Sequence, residues 1–133
     1  MNETECFTLK NYSYSQFTPL LDILFTNKIY KDILSSDSRI AYSVLLNRVS
    51  LSIKNNWTDD NGNVYIIYTR EELAEYMNVG YKVVLRAFKE LTKSNLINEK
   101  RQGMGRPNLI YVYKPKISDM PKRKLFNFFK GNS

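Results

Sequence analysis

The chain has no histidine, and that absence narrows its chemistry first. The commonest general base and the commonest metal ligand are both missing, so an enzyme is disfavoured and no cofactor is expected. A single cysteine, Cys6, cannot close an internal disulfide, which suits a reducing cytoplasm. No run of 18 apolar residues is present, so no membrane span is expected. The first residues, MNETECFTLKNYSYSQF, lack the basic and apolar regions of a secretory leader. Acidic residues are scarce in one place only. Residues 79–133 carry 13 Lys and Arg against 3 Asp and Glu, a net of +10, while residues 1–78 carry 7 against 10, a net of −3. A basic half on a mildly acidic body points to a directed contact with phosphates or an anionic surface.

What is present is enough for one domain. The 133 residues are 43% hydrophobic and 25% charged, which is ordinary for a globular chain with a real core. Residues 1–34 read as an N-terminal arm with short helices. Thr18 and Pro19 start a helix through Leu20–Phe25, and Ile29–Leu34 add another turn. The arm's apolar residues suit packing on the core, with a dimerisation surface over residues 7–34 as the sharper alternative. Ser35–Asp37 cap a long helix to about Lys54, with Ile40, Ala41, Val44, Leu45, Val49 and Ile53 inward and Arg39, Arg48 and Lys54 wet. Asp60-Asn61-Gly62 is a turn. Asp59, Asn61 and Asn63 resemble the start of a calcium loop, but Val64 occupies the position where that loop needs glycine, so turn chemistry is expected and no metal. Val64–Tyr68 reads as a strand, and Trp57–Thr58 could pair with it. Thr69 with Glu72 forms a capping box opening a short helix with Leu73, Ala74 and Met77 inward.

After the break at Asn78-Val79-Gly80 comes a helix with two faces. Val84, Ala87, Phe88 and Leu91 recur at the spacing of a buried stripe. Lys82, Arg86, Lys89 and Lys93 recur on another side, and Leu85 is read as core. Two strands, Leu96–Arg101 and Leu109–Tyr113, flank a loop with Gly103, Gly105 and Pro107. The order helix, strand, short helix, turn, basic helix, strand, loop, strand is that of a winged helix-turn-helix over residues 35–115. The fold class is therefore mainly α with a small β-sheet (α+β), with the arm as an addition. A helix has the width of the B-DNA major groove, and its first turns approach base edges. Tyr81, Lys82 and Arg86 are the candidates there, Arg86 first because its guanidinium can bridge guanine O6 and N7. Lys89 and Lys93 lie where phosphates are met. Thr69 and Arg70, at the start of the bracing helix, can hold a phosphate with amides and a cation. Lys100, Arg101 and Arg106 are the wing candidates. Alone, four cations on one helix face would be read as solvated surface. The basic, glycine-containing hairpin that follows tips the reading to double-stranded DNA. Residues 116–133 form a basic tail or the start of a linker. Its Lys122-Arg123-Lys124 run beside Leu125, Phe126, Phe128 and Phe129 could suit a membrane surface, but a linker or a short packed helix is preferred.

The run LLNRVSLSIKNNWTDDNGNVYIIYTREELAEYM, followed by LTKSNLINEKRQGMGRPNLIYV, resembles the N-terminal DNA-binding domain of the RepA-type plasmid replication initiators of Gram-positive bacteria (the RepA_N family). The resemblance covers roughly residues 17–113. It implies a winged helix that binds repeated sites in a plasmid origin, commonly as a homodimer, with Lys82, Arg86 and Arg106 at matching DNA-binding positions. It also implies a separate C-terminal domain that recruits host replication proteins, which would lie beyond Ser133. Family members often carry serine where Gly80 opens the basic helix. The rival readings are a transcriptional repressor of the same fold and, less favoured, a winged helix that binds an acidic protein.

Overall fold

The computed structural model describes residues 20–116. Two short helices come first, α1 (Ile23–Thr26) and α2 (Lys28–Ile33), then the long α3 (Ser36–Lys54). The bracing helix α4 (Arg70–Met77) and the basic helix α5 (Tyr81–Lys93) follow, then strands β1 (Ile97–Lys100) and β2 (Leu109–Val112). The expected cap at Thr18–Pro19, residues 7–19 of the arm, Cys6 and the tail from residue 117 lie outside the described residues. None of the described helices is long and apolar enough to cross a membrane.

Helix boundaries follow their caps. The apolar run of the arm splits because Asn27 turns extended (φ −74°, ψ 130°), and its side chain then accepts the Ile29 amide to start α2. Ser35 caps α3 by accepting the Ser38 amide. Thr69 and Glu72 form the expected reciprocal capping box, with both hydrogen bonds at 3.0 Å. Asn78 (φ 57°) ends α4 in the left-handed region, and Asn95 (φ 60°) turns the chain after α5, where the Leu96 amide reaches back to the Leu91 carbonyl at 2.9 Å.

The core gathers Tyr42 and Leu45 of α3, Leu73 of α4, Val84, Phe88 and Leu91 of α5, and Leu96, Ile97 and Ile110 around the hairpin. Ile23, Leu24, Tyr30 and Leu34 belong to the same cluster, so the described part of the arm packs on the core. β1 and β2 are antiparallel, in register from Ile97 opposite Val112 to Lys100 opposite Leu109. The end of the hairpin is tied to the helices: the Tyr42 hydroxyl donates to the Tyr113 carbonyl at 2.6 Å, and the Lys116 amide donates to the Tyr30 hydroxyl at 2.7 Å. Burial, with Tyr30 nearby, pushes the Tyr42 phenol far above its ordinary pKa, so it is a permanent donor.

Several expectations are corrected. Ile40 and Ile53 face solvent, at 44% and 56% exposure. The inward face of α3 is rotated from them and seats Ser38, Tyr42, Ser43 and Ser52. These serines are tolerated because partners exist; the Ser43 hydroxyl, for example, bonds the Arg39 carbonyl at 3.0 Å. Arg39 and Arg48 are not simply wet. Arg39 donates to the Leu24 carbonyl and covers the Phe25 ring at 4.7 Å, and Arg48 covers the Tyr68 ring at 4.5 Å. The strand expected over Val64–Tyr68 is reduced to single bridges, Thr58 with Val64 and Ile66 with Ile110. The Asp59 carboxylate accepts the amides of Asn61 and Asn63 and the Tyr111 hydroxyl, which is turn chemistry as expected.

Gly80 is the N-cap of α5 and supplies no side-chain bond there. Its φ of −70° suits any residue, and a Cβ would meet nothing within 4 Å. Gly80→Ser is therefore expected to stabilise the domain by about 0.5–1 kcal/mol, through the added cap and a less mobile unfolded chain. A urea midpoint left unmoved would show that the hydroxyl does not cap.

Candidate nucleic-acid interface

The site begins with the two-faced character of α5. Val84, Ala87, Phe88 and Leu91 are buried, as their spacing requires. The opposite side is a continuous exposed face of Tyr81, Lys82, Leu85, Arg86, Lys89, Thr92 and Lys93. Leu85, read from the sequence as core, is 41% exposed and stands among the cations. The reason is angular: it follows Tyr81 and precedes Lys89 by four residues each, which places all three on one stripe. That signal was readable in the spacing.

Helix α5 is held by two acids that sequence reasoning passed over. Glu90 is half-buried against the start of α3, where its Oε1 accepts the Ser35 amide at 2.9 Å and the Ser38 hydroxyl. Its other oxygen lies 3.4 Å from Nε of Arg86. Burial alone would raise the Glu90 pKa, but the hydrogen bonds from Ser38 and Ser35, with Arg86, outweigh it and hold the carboxyl below its ordinary value. Glu90 thus fixes the helix to α3 and orients the base of Arg86, whose side chain remains 78% exposed. Its signal was that it is the only acid in α5. Glu99 of β1 pairs with Nη2 of Arg70 at 2.6 Å, while the Arg70 guanidinium lies 4.8 Å from the centre of the Phe88 ring. The bracing helix, the basic helix and the wing strand are joined at that point.

The structure sorts the sequence-predicted residues. Arg70, Lys82, Arg86, Lys89 and Lys93 line one open cleft of about 720 Å³ with Leu85, Phe88, Thr92 and Glu99. Tyr81 stands exposed at the first residue of α5. Arg101 and Arg106 are exposed on the wing loop. Lys100 belongs elsewhere: successive strand residues face opposite ways, so Glu99 lines the α5 cleft while Lys100 lines a hollow with Asp59 and Tyr111. Thr69 has its hydroxyl and amide engaged in the capping box, and the first turn of α4 carries Glu71 and Glu72. That acidic turn is a poor place for a phosphate. Among the described residues, Lys82, Lys89 and Lys93 have no ion-pair partner.

A family profile described as the N-terminus of replication initiator protein A (RepA) matches residues 16–124. The chain belongs to this replication-initiator family. A "41 kDa protein" of Lactobacillus helveticus is 32% identical to it, over 84% of this chain and 34% of the relative, so the chain spans about a third of that relative's length. Solved structures agree with the winged fold. The N-terminal domain of a DNA-binding protein superposes with a TM-score of 0.75 at 33% identity, covering 93% of this chain and 94% of that one. A Rep–DNA complex gives 0.75 at 34% identity over 92% and 93%, and an MDR initiator gives 0.72 at 39% identity over 92% and 96%.

Proposed function

We propose that this RepA-family domain binds double-stranded DNA sequence-specifically at repeated sites of a plasmid replication origin, as the origin-reading part of an initiator. The observation that carries the reading is the exposed face of α5, where Tyr81, Lys82, Leu85, Arg86, Lys89 and Lys93 stand together beside a basic wing. The kinship with a protein solved as a Rep–DNA complex supports it.

In this reading α5 enters the major groove with Tyr81, Lys82 and Arg86 leading. Arg86, oriented from below by Glu90, takes the hydrogen-bonding edge of a guanine. Leu85 supplies an apolar surface suited to a thymine methyl. Lys89 and Lys93, further along, neutralise phosphates and set the register. Arg101 and Arg106 hold the strand beside the wing. Arg70 serves as a positioning residue through Glu99 and Phe88. Thr69, committed to its cap, and Lys100, turned to the other side of the hairpin, make at most peripheral contacts. Repeated sites suit paired copies, and Leu20, Phe25 and Ile29 leave apolar surface on the arm for a homodimer contact. Host replication proteins would be engaged by parts of the initiator outside this domain.

The test separates reading from holding. Arg86→Ala is expected to lower the preference for origin repeats over random duplex by about ten- to a hundredfold, while Lys93→Ala weakens both alike. Competition binding with origin and scrambled duplexes measures the ratio. An unchanged ratio in Arg86→Ala would remove the assignment, and no duplex binding by the wild-type domain would remove the function.

A further inference from the structure

The wing loop, residues 101–108, ends in a shaped tip. The Arg106 amide donates to the Gly103 carbonyl at 3.3 Å, closing a turn over Gly103, Met104, Gly105 and Arg106. Gly105, third in the turn, has φ +77°, the left-handed geometry that a type II turn demands there. Below the turn, Nε2 of Gln102 donates to the Pro107 carbonyl at 2.8 Å and clamps the two limbs together. Met104 is left at the apex, 102% exposed, with Arg101 and Arg106 on either side. The turn is built, and what it presents is apolar. On α5 the exposed apolar residues are Tyr81 and Leu85.

We propose that Met104 is a wedge that enters the DNA minor groove beside the α5 site and partly opens one base step. The inference rests on the duplex-binding reading above and extends it to a residue with no charge. The minor groove is about 6 Å wide, too narrow for a helix but open to a single turn with a slim side chain. Methionine is unbranched and adaptable, and apolar side chains that unstack a base step are a recurrent minor-groove device. A thioether has no attraction for a phosphate, so backbone contact alone does not account for it. Arg101 and Arg106 supply that contact, and a narrow, A·T-rich groove attracts them most strongly. The wedge favours steps that unstack easily, such as TA or CA, and so adds preference at a position α5 does not touch.

The experiment uses the full chain and three substitutions at this exposed position: Met104→Leu, Met104→Ala and Met104→Gln. Bound duplexes are first selected from a randomised pool with the wild type, and 2-aminopurine is then placed at the flanking step. With wild type and Met104→Leu, binding should raise 2-aminopurine emission, and a flexible flanking step should be preferred by about tenfold over a G·C-rich one. Met104→Ala and Met104→Gln should lose both the emission rise and the preference while the salt dependence of binding stays the same, because no phosphate contact is lost. Equal emission and equal preference in Met104→Ala would overturn the wedge and leave the α5 reading standing. A weakened salt dependence in Met104→Ala would also overturn it, since the residue would then act by placing the arginines. Absence of duplex binding by the wild type would overturn both.

Discussion

Raising monovalent salt from 50 to 200 mM is expected to weaken binding of this domain to its duplex by about a thousandfold, because neutralising some six phosphates gives a log–log slope of about −5. The six cations are Lys82, Arg86, Lys89 and Lys93 on α5 and Arg101 and Arg106 on the wing. They stand on exposed surfaces, and Glu90 opposes only Arg86, at 3.4 Å. Each cation that meets a phosphate displaces counterions condensed on the DNA, and their release supplies most of the favourable term. Fluorescence anisotropy over a salt series measures the slope. Lys89→Ala should make it shallower by about one unit. Lys100→Ala should leave it unchanged, because Lys100 faces the Asp59 and Tyr111 side of the hairpin. A slope near zero would mean that the cations of α5 are a solvated face.

Much of this arrangement was written locally. The capping box at Thr69 and Glu72 is the effect of a few neighbouring residues and appears where the spacing put it, and Asn78 turns left-handed at the break expected there. The buried stripe of α5 was equally legible, because Val84, Ala87, Phe88 and Leu91 follow a helical period without interruption. The long helix α3 was less so. Its mixture of isoleucines and serines does not declare which face meets the core, and that choice is made by distant partners. Ser38 is buried where Glu90 of α5 reaches it, and Ile40 is left 44% exposed. Lys100 was placed by another effect: a strand turns each residue to the opposite side, so a basic run beside a loop is divided between two surfaces. Arg70, a phosphate candidate in the sequence, pairs in the structure with Glu99, 29 positions away. Charge counted along the chain cannot register such pairs.

Phe88→Ala should be the most damaging single change on α5, costing about 3–5 kcal/mol of stability. The ring is 3% exposed, so its removal loses apolar burial and leaves a cavity between α5 and its neighbours. It also removes the surface over which the Arg70 guanidinium lies at 4.8 Å. Nε of Arg70 is already buried without a hydrogen-bond partner among the described residues, so the arginine depends on Glu99 and the ring for its compensation. Against a total stability of about 5–15 kcal/mol for a domain, such a loss leaves a marginal fold. Urea unfolding should show a midpoint lowered by about 1–3 M at an ordinary slope. Phe88→Leu keeps most of the volume and should cost less than half as much. Duplex DNA, binding only the folded form, should recover part of the lost stability at low salt and little of it at high salt. If Phe88→Ala and Phe88→Leu unfolded at the same midpoint as wild type, α5 would not be held through this ring, and the join of bracing helix, basic helix and wing would have to lie elsewhere.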